Sequence, residues 1–94
     1  MSVVRAWLAG RSPRPPEALA LSIDEGAGDV TEGLTAAGLA ALERALEGRG
    51  ERRGAFDLLA ADALLTYACE CAAESTDPEG ALKRILERVS RRGG

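Results

Sequence analysis

The sequence predicts an all-α fold, a compact bundle of four to five short helices around one central apolar helix. Apolar residues make up 46% of the 94-residue chain. They are mostly Leu and Ala, and they recur at the three- and four-residue spacing of helices. Aromatic and β-branched residues, which strands favour, are few. A chain of this length forms one domain, which we assign to residues 1–94.

The predicted central helix runs from Ala55 to about Glu74. Its polar side chains are Asp57, Asp62, Thr66 and Glu70, and the last three are four residues apart. On a helix that spacing places them in one narrow stripe. A helix that is apolar outside one stripe is typical of the middle of a bundle.

Two interpretations of this acidic stripe remain open. Its carboxylates could bind a metal ion or an arginine-bearing partner. Alternatively, the stripe is the strip of the central helix that reaches water, or it pairs with Arg52, Arg53 or the arginines of the last helix. Because buried acids are usually paired, we favour this second interpretation.

The N-terminal segment, residues 1–10, is predicted to form a short helix from Val3 to Ala9, with Ser2 as its cap and Gly10 as its end. Trp7 is the large apolar anchor that should dock on the main body, whereas an exposed Trp7 would indicate a partner site. Residues 11–16 are rich in proline and predict a stiff connector.

The helical bundle is predicted over residues 17–92. Its first helix, the second of the chain, begins near Pro16 and ends near Glu25. A Gly-rich acidic loop then continues to Gly33; it lacks the residue order of a calcium loop, so we interpret it as solvated. Thr35 is predicted to cap the third helix, which ends at Gly48.

The residues that end and start helices predict how the last helices are connected. The turn from Gly48 to Gly50 is so short that the third and fourth helices should form an antiparallel hairpin. Asp77 is the predicted cap of the fifth helix, and Pro78 takes its first position. Four residues form one apolar face of the fifth helix: Leu82, Ile85, Leu86 and Val89.

The composition argues against an enzyme and against bound metal or cofactor. The chain has no histidine, the commonest general base and a frequent metal ligand. Cys69 and Cys71 would point about 200° apart on a helix, and we interpret them as buried, reduced thiols. We therefore expect no catalytic, cofactor-binding or metal-binding residues.

The sequence predicts a cytoplasmic protein without a transmembrane segment. The apolar stretch at the start is too short for a signal-peptide core and is interrupted by Arg5. The central stretch approaches the roughly 18–20 apolar residues that span a bilayer. However, its three acidic residues disfavour insertion.

The function that we favour from the sequence is a non-enzymatic protein–protein interaction module that self-associates. The central helix presents apolar surface on most sides, and only short helices are available to cover it. A second copy, giving a homodimer, or a helical partner would cover the remainder. The contact candidates are Trp7, Phe56, Leu58 and Leu65.

The alternative function is an anion-binding regulator that uses the basic last helix on nucleic acid or a membrane surface. The candidate residues are Lys83, Arg84, Arg88, Arg91 and Arg92. The net charge of −3 disfavours nucleic acid as a partner. Glu79 and Glu87 dilute the basic face, so we favour a solvated face. A small apolar ligand in a bundle cavity is a third possibility.

Overall fold

The computed structural model describes residues 3–11, 15 and 29–93. The described part is helical without strands, and the predicted all-α bundle with a hairpin around a central helix is confirmed. The predicted helix near residues 17–25 lies outside the described residues. The helices are α1 (Val3–Ala9), α2 (Val30–Glu47), α3 (Arg52–Ala73) and α4 (Pro78–Gly93).

α2 begins at Val30, five residues before Thr35. The prediction that Thr35 caps this helix is therefore wrong. Asp29 is the cap: its Oδ1 accepts a hydrogen bond of 2.7 Å from the backbone N–H of Glu32. Aspartate is a stronger cap than threonine, and Glu32 in the first turn complements the helix dipole. Residues 29–33 are therefore helix start rather than loop. The side chain of Thr35 is buried and donates to the Thr31 carbonyl.

The hairpin between α2 and α3 depends on three glycines, of which Gly48 and Gly54 are in backbone contact. Gly50 has a φ of +89°, a conformation that other residues rarely adopt. A Cβ atom on Gly54 would lie 2.6 Å from the carbonyl carbon of Gly48, so the backbones approach as closely as glycine allows. α3 starts at Arg52 rather than at Ala55 as predicted, because Gly54 packs within the first turn instead of preceding the helix.

One face of α3 forms the middle of the hydrophobic core. Its buried residues recur at three and four positions, and Leu64 is fully buried. α2 packs most extensively on this face, and α4 packs on both hairpin helices. The core residues of α3 are Ala61, Leu64, Ala68 and Ala72.

α4 begins as the sequence predicts. Asp77 accepts a hydrogen bond of 3.1 Å from the N–H of Gly80, and Pro78 occupies the first helical position. Ala81 and Ile85 are the buried residues that bring α4 onto the core. Arg88 forms an ion pair with Glu32 at the start of α2, which ties the two helices together.

α1 docks through Trp7, as predicted. Its indole ring meets Tyr67 edge-on, with 6.2 Å between ring centroids. The indole Nε1–H donates to Glu74 at 3.2 Å, and the guanidinium of Arg11 lies 4.1 Å from the centre of the ring. Val4 and Leu8 of α1 are buried in the core. A seven-residue helix is thus held at the C-terminal end of α3.

Candidate interaction surface

The first two turns of α3 carry large apolar side chains that face solvent. Phe56 and Leu59 are each 66% exposed and Leu58 is 55% exposed, while Leu46 at the end of α2 is 51% exposed. The tight turn between α2 and α3 places these residues at one end of the molecule. We call Leu46, Phe56, Leu58 and Leu59 the hairpin-end surface.

The hairpin-end surface is open because the covering helices pack elsewhere. α1 meets α3 at Tyr67 and Glu74, more than two turns beyond Leu59. α4 starts directly after the C-terminal end of α3 and is six residues shorter than it, from the 22 and 16 residues of the two helices. Among the described helices, α2 is therefore the main cover for the start of α3.

The sequence-predicted contact candidates fall into two groups. Phe56 and Leu58 lie in the hairpin-end surface. Trp7 is half-buried in its contacts with Tyr67 and Glu74, and Leu65 is half-buried with its side chain against Gly38. Leu46 and Leu59 belong to the same surface but were not among the candidates. Leu59 could have been found from its three-residue spacing from Phe56.

α4 exposes a smaller apolar area of its own. Leu86 is 66% exposed and Val89 is 38% exposed, although both lie on the apolar face that the sequence predicts. Ala81 and Ile85 on that face are buried, and Leu82 is half-buried. The apolar face of α4 is thus only partly used by the core.

The acidic stripe of α3 faces solvent. Asp62, Thr66 and Glu70 are all exposed, and the Thr66 hydroxyl donates to the carbonyl of Asp62. Asp57 lies on a different side of the helix and pairs with Arg44 of α2 at 3.2 Å. This arrangement agrees with the solvated interpretation of the stripe. It departs from the predicted pairing with Arg52, Arg53 or α4.

The basic face of α4 is partly neutralised. Arg88 is paired with Glu32, whereas Lys83, Arg84 and Arg91 are exposed. The side chain of Arg92 lies outside the described residues. Anion binding by this helix stays a prediction.

An open cleft of about 420 Å³ lies between α1, the start of α2, the end of α3 and α4. Trp7, Val30 and Ile85 supply its apolar walls, while Glu32 and Arg84 are among its charged lining residues. It is therefore a mixed, solvent-open cleft rather than the enclosed apolar cavity that would suit a lipid-like ligand.

The prediction that both cysteines are buried is wrong. Cys69 is exposed, Cys71 is half-buried, and both are free thiols. The reason is the orientation of α3, which buries the face of Ala68 and Ala72 and turns Cys69 outward. Among the described residues no three acidic, cysteine or histidine side chains are placed to hold a metal ion.

Glu74 is the polar anchor of α1. Its carboxylate accepts a hydrogen bond of 3.0 Å from Arg11 and another from Trp7. The hydrogen bond from Arg11 lowers the pKa of Glu74 below its ordinary value of 4.5, and the Trp7 bond and the charge of Arg11 act in the same direction.

We expect α1 to loosen when Glu74 is protonated. A lowered pKa in the folded state means that the carboxylate stabilises docking above its ordinary pKa, and that this stabilisation is lost as the pH falls through the folded value. Fluorescence of Trp7, the only tryptophan, should therefore change at acidic pH before the helical circular dichroism does. In Glu74→Gln the early fluorescence step should be absent; an identical step in this variant would contradict the assignment to Glu74.

No family model, curated protein or solved structure matches this chain. None of the helices in the described part of the chain is both long enough and apolar enough to cross a bilayer.

Proposed function

We propose that the chain is a non-enzymatic protein–protein interaction module that acts through the hairpin-end surface. The observation that carries the proposal is the exposure of Phe56, Leu58 and Leu59 within a single turn of α3. Single exposed leucines are ordinary on protein surfaces, but neighbouring large apolar side chains such as Phe56 and Leu59, three residues apart on one side of α3, are typical of an interaction site. Phe56 supplies the aromatic anchor that interfaces favour.

The arrangement of the surface supports docking rather than chemistry. It lies on two helices joined by a tight turn, so the backbone that carries it is already formed before a partner arrives, which lowers the entropic cost of binding. The sequence has no histidine, the side chain that most often transfers protons near neutral pH. The free thiols of Cys69 and Cys71 suit a reducing compartment, and the proposal keeps the cytoplasmic location expected from the sequence.

Site-specific photo-crosslinking in the native cells tests the proposal. A benzophenone side chain replaces Phe56 in one variant and Lys83 in a control variant; both positions are exposed, and they lie on different helices. We expect a discrete crosslinked protein adduct from position 56 and none from position 83. Absence of an adduct at position 56, or equal adducts at both positions, would contradict an interaction site on α3.

A further inference from the structure

The exposed side of α3 carries a second, longer stripe, which shares Thr66 and Glu70 with the acidic stripe. Its members are spaced alternately by four and three residues. This is the spacing at which a helix presents one seam to a neighbouring helix. Five of the six residues are exposed and Ala63 is half-buried. The stripe consists of Arg52, Phe56, Leu59, Ala63, Thr66 and Glu70.

The two ends of this stripe carry opposite charges. A basic residue, Arg52, stands at its N-terminal end, the apolar residues fill its first half and middle, and an acidic residue, Glu70, stands at its C-terminal end. Neither Arg52 nor Glu70 forms an ion pair with any residue that the structure describes. Both charges are therefore available to an external partner.

These two charges are also placed unfavourably for the helix that carries them. The N-terminus of a helix is positive and its C-terminus negative, so acidic residues stabilise the first turn and basic residues the last. α3 has no acidic residue in its first turn and no basic residue in its last, and no side chain caps its N-terminus. A partner that brings an acid to Arg52 and a base to Glu70 would compensate at both ends.

We propose that this partner is a second copy of the chain, with α3 packed antiparallel against the same helix of the partner about a two-fold axis. The axis passes beside Leu59 and Ala63, and Arg52 then faces Glu70 of the partner subunit. A two-fold axis repeats this pair, so both ends of both helices gain an opposite charge. Phe56 and Leu59 are covered at the centre. The inference rests on the proposed function, because it names the partner that covers Phe56 and Leu59 of the hairpin-end surface.

Charge reversal along the stripe tests this geometry. Arg52→Glu alone, or Glu70→Arg alone, places like charges opposite each other twice in the dimer. We expect each to raise the dissociation constant on the order of tenfold, since exposed ion pairs contribute modestly but are counted twice here. The double variant R52E/E70R exchanges the partners of both pairs and should return the dissociation constant to about the wild-type value. Sedimentation equilibrium supplies the constants.

The controls separate pairing from folding and from net charge. Lys83→Glu and Glu47→Arg make the same changes of charge at exposed positions outside the stripe and should leave the constant unchanged. Thermal unfolding of dilute Arg52→Glu and Glu70→Arg should occur at a raised temperature, because both substitutions favour the dipole of α3. Weaker association in a more stable protomer cannot come from unfolding.

Three results would overturn the antiparallel pair: single variants that associate as tightly as the wild type, a double variant as weak as the singles, or a wild type that stays monomeric. The last result, together with a crosslink from position 56 to a different protein, would remove the second copy and leave the proposed function standing. A monomeric wild type with no crosslink would remove both.

Discussion

Truncating Leu64 to alanine is expected to lower the free energy of unfolding by about 2–5 kcal/mol. Leu64 is fully buried near the centre of α3, in the same core cluster as Leu34 and Ala68, so its truncation leaves a cavity in a packed core. A domain of this size has about 5–15 kcal/mol of stability in total. The substitution therefore removes a large part of it, and urea unfolding followed by circular dichroism measures the loss.

Leu59→Ala is the matched control for that result. It makes the same chemical change on the same helix, but the side chain is 66% exposed. Its cost should lie within about 0.5 kcal/mol of zero when both proteins are unfolded at low concentration, where association does not contribute. Equal losses at positions 59 and 64 would mean that the start of α3 is covered in the protomer.

Replacing Gly54 with alanine is expected to destabilise the protein by about 1–3 kcal/mol. Helix propensity alone predicts the opposite, because alanine inside a helix is favoured over glycine by about 1 kcal/mol. The difference is packing: the new methyl group would lie 2.6 Å from the carbonyl carbon of Gly48 and 3.2 Å from the backbone nitrogen of Arg49. Backbone atoms in a tight turn cannot yield as a flexible side chain would.

Ala55→Gly, one position later, controls for propensity. Ala55 is exposed, so removing its methyl group should cost only the propensity difference of about 1 kcal/mol. Adding a methyl group at position 54 and removing one at position 55 should thus both destabilise. A stabilised Gly54→Ala, measured by the same urea unfolding, would show that the hairpin is looser than the contact between Gly48 and Gly54 implies.

Helices whose ends carry strong local signals could be predicted from the sequence. α1 has the predicted bounds, and α4 starts with its predicted cap, Asp77, followed by Pro78. The predicted start of α2 was wrong because the cap was placed at Thr35, beyond the Gly-rich acidic segment, whereas the actual cap, Asp29, lies within that segment. The close approach of Gly48 and Gly54 joins two helices across a turn, and helical periodicity carries no information about it.

The interaction surface could be predicted only in part. Periodicity identifies Phe56 and Leu58 as apolar residues of α3 but does not say which side of the helix its neighbours cover. That depends on where α1 and α4 pack, and both contact α3 toward its C-terminal end. Trp7 and Leu65 therefore lie half-buried inside the protomer, while Leu59, which was not a candidate, is among the most exposed apolar residues.

The central claim is that the start of α3 is bare in one protomer and is covered by a second. Sedimentation equilibrium of the unmodified, reduced protein over a wide concentration range tests it most directly. The mass should rise from the 9.8 kDa of the single chain to twice that value and stop there, since a two-fold interface is closed. A mass of 9.8 kDa at every concentration would contradict the claim.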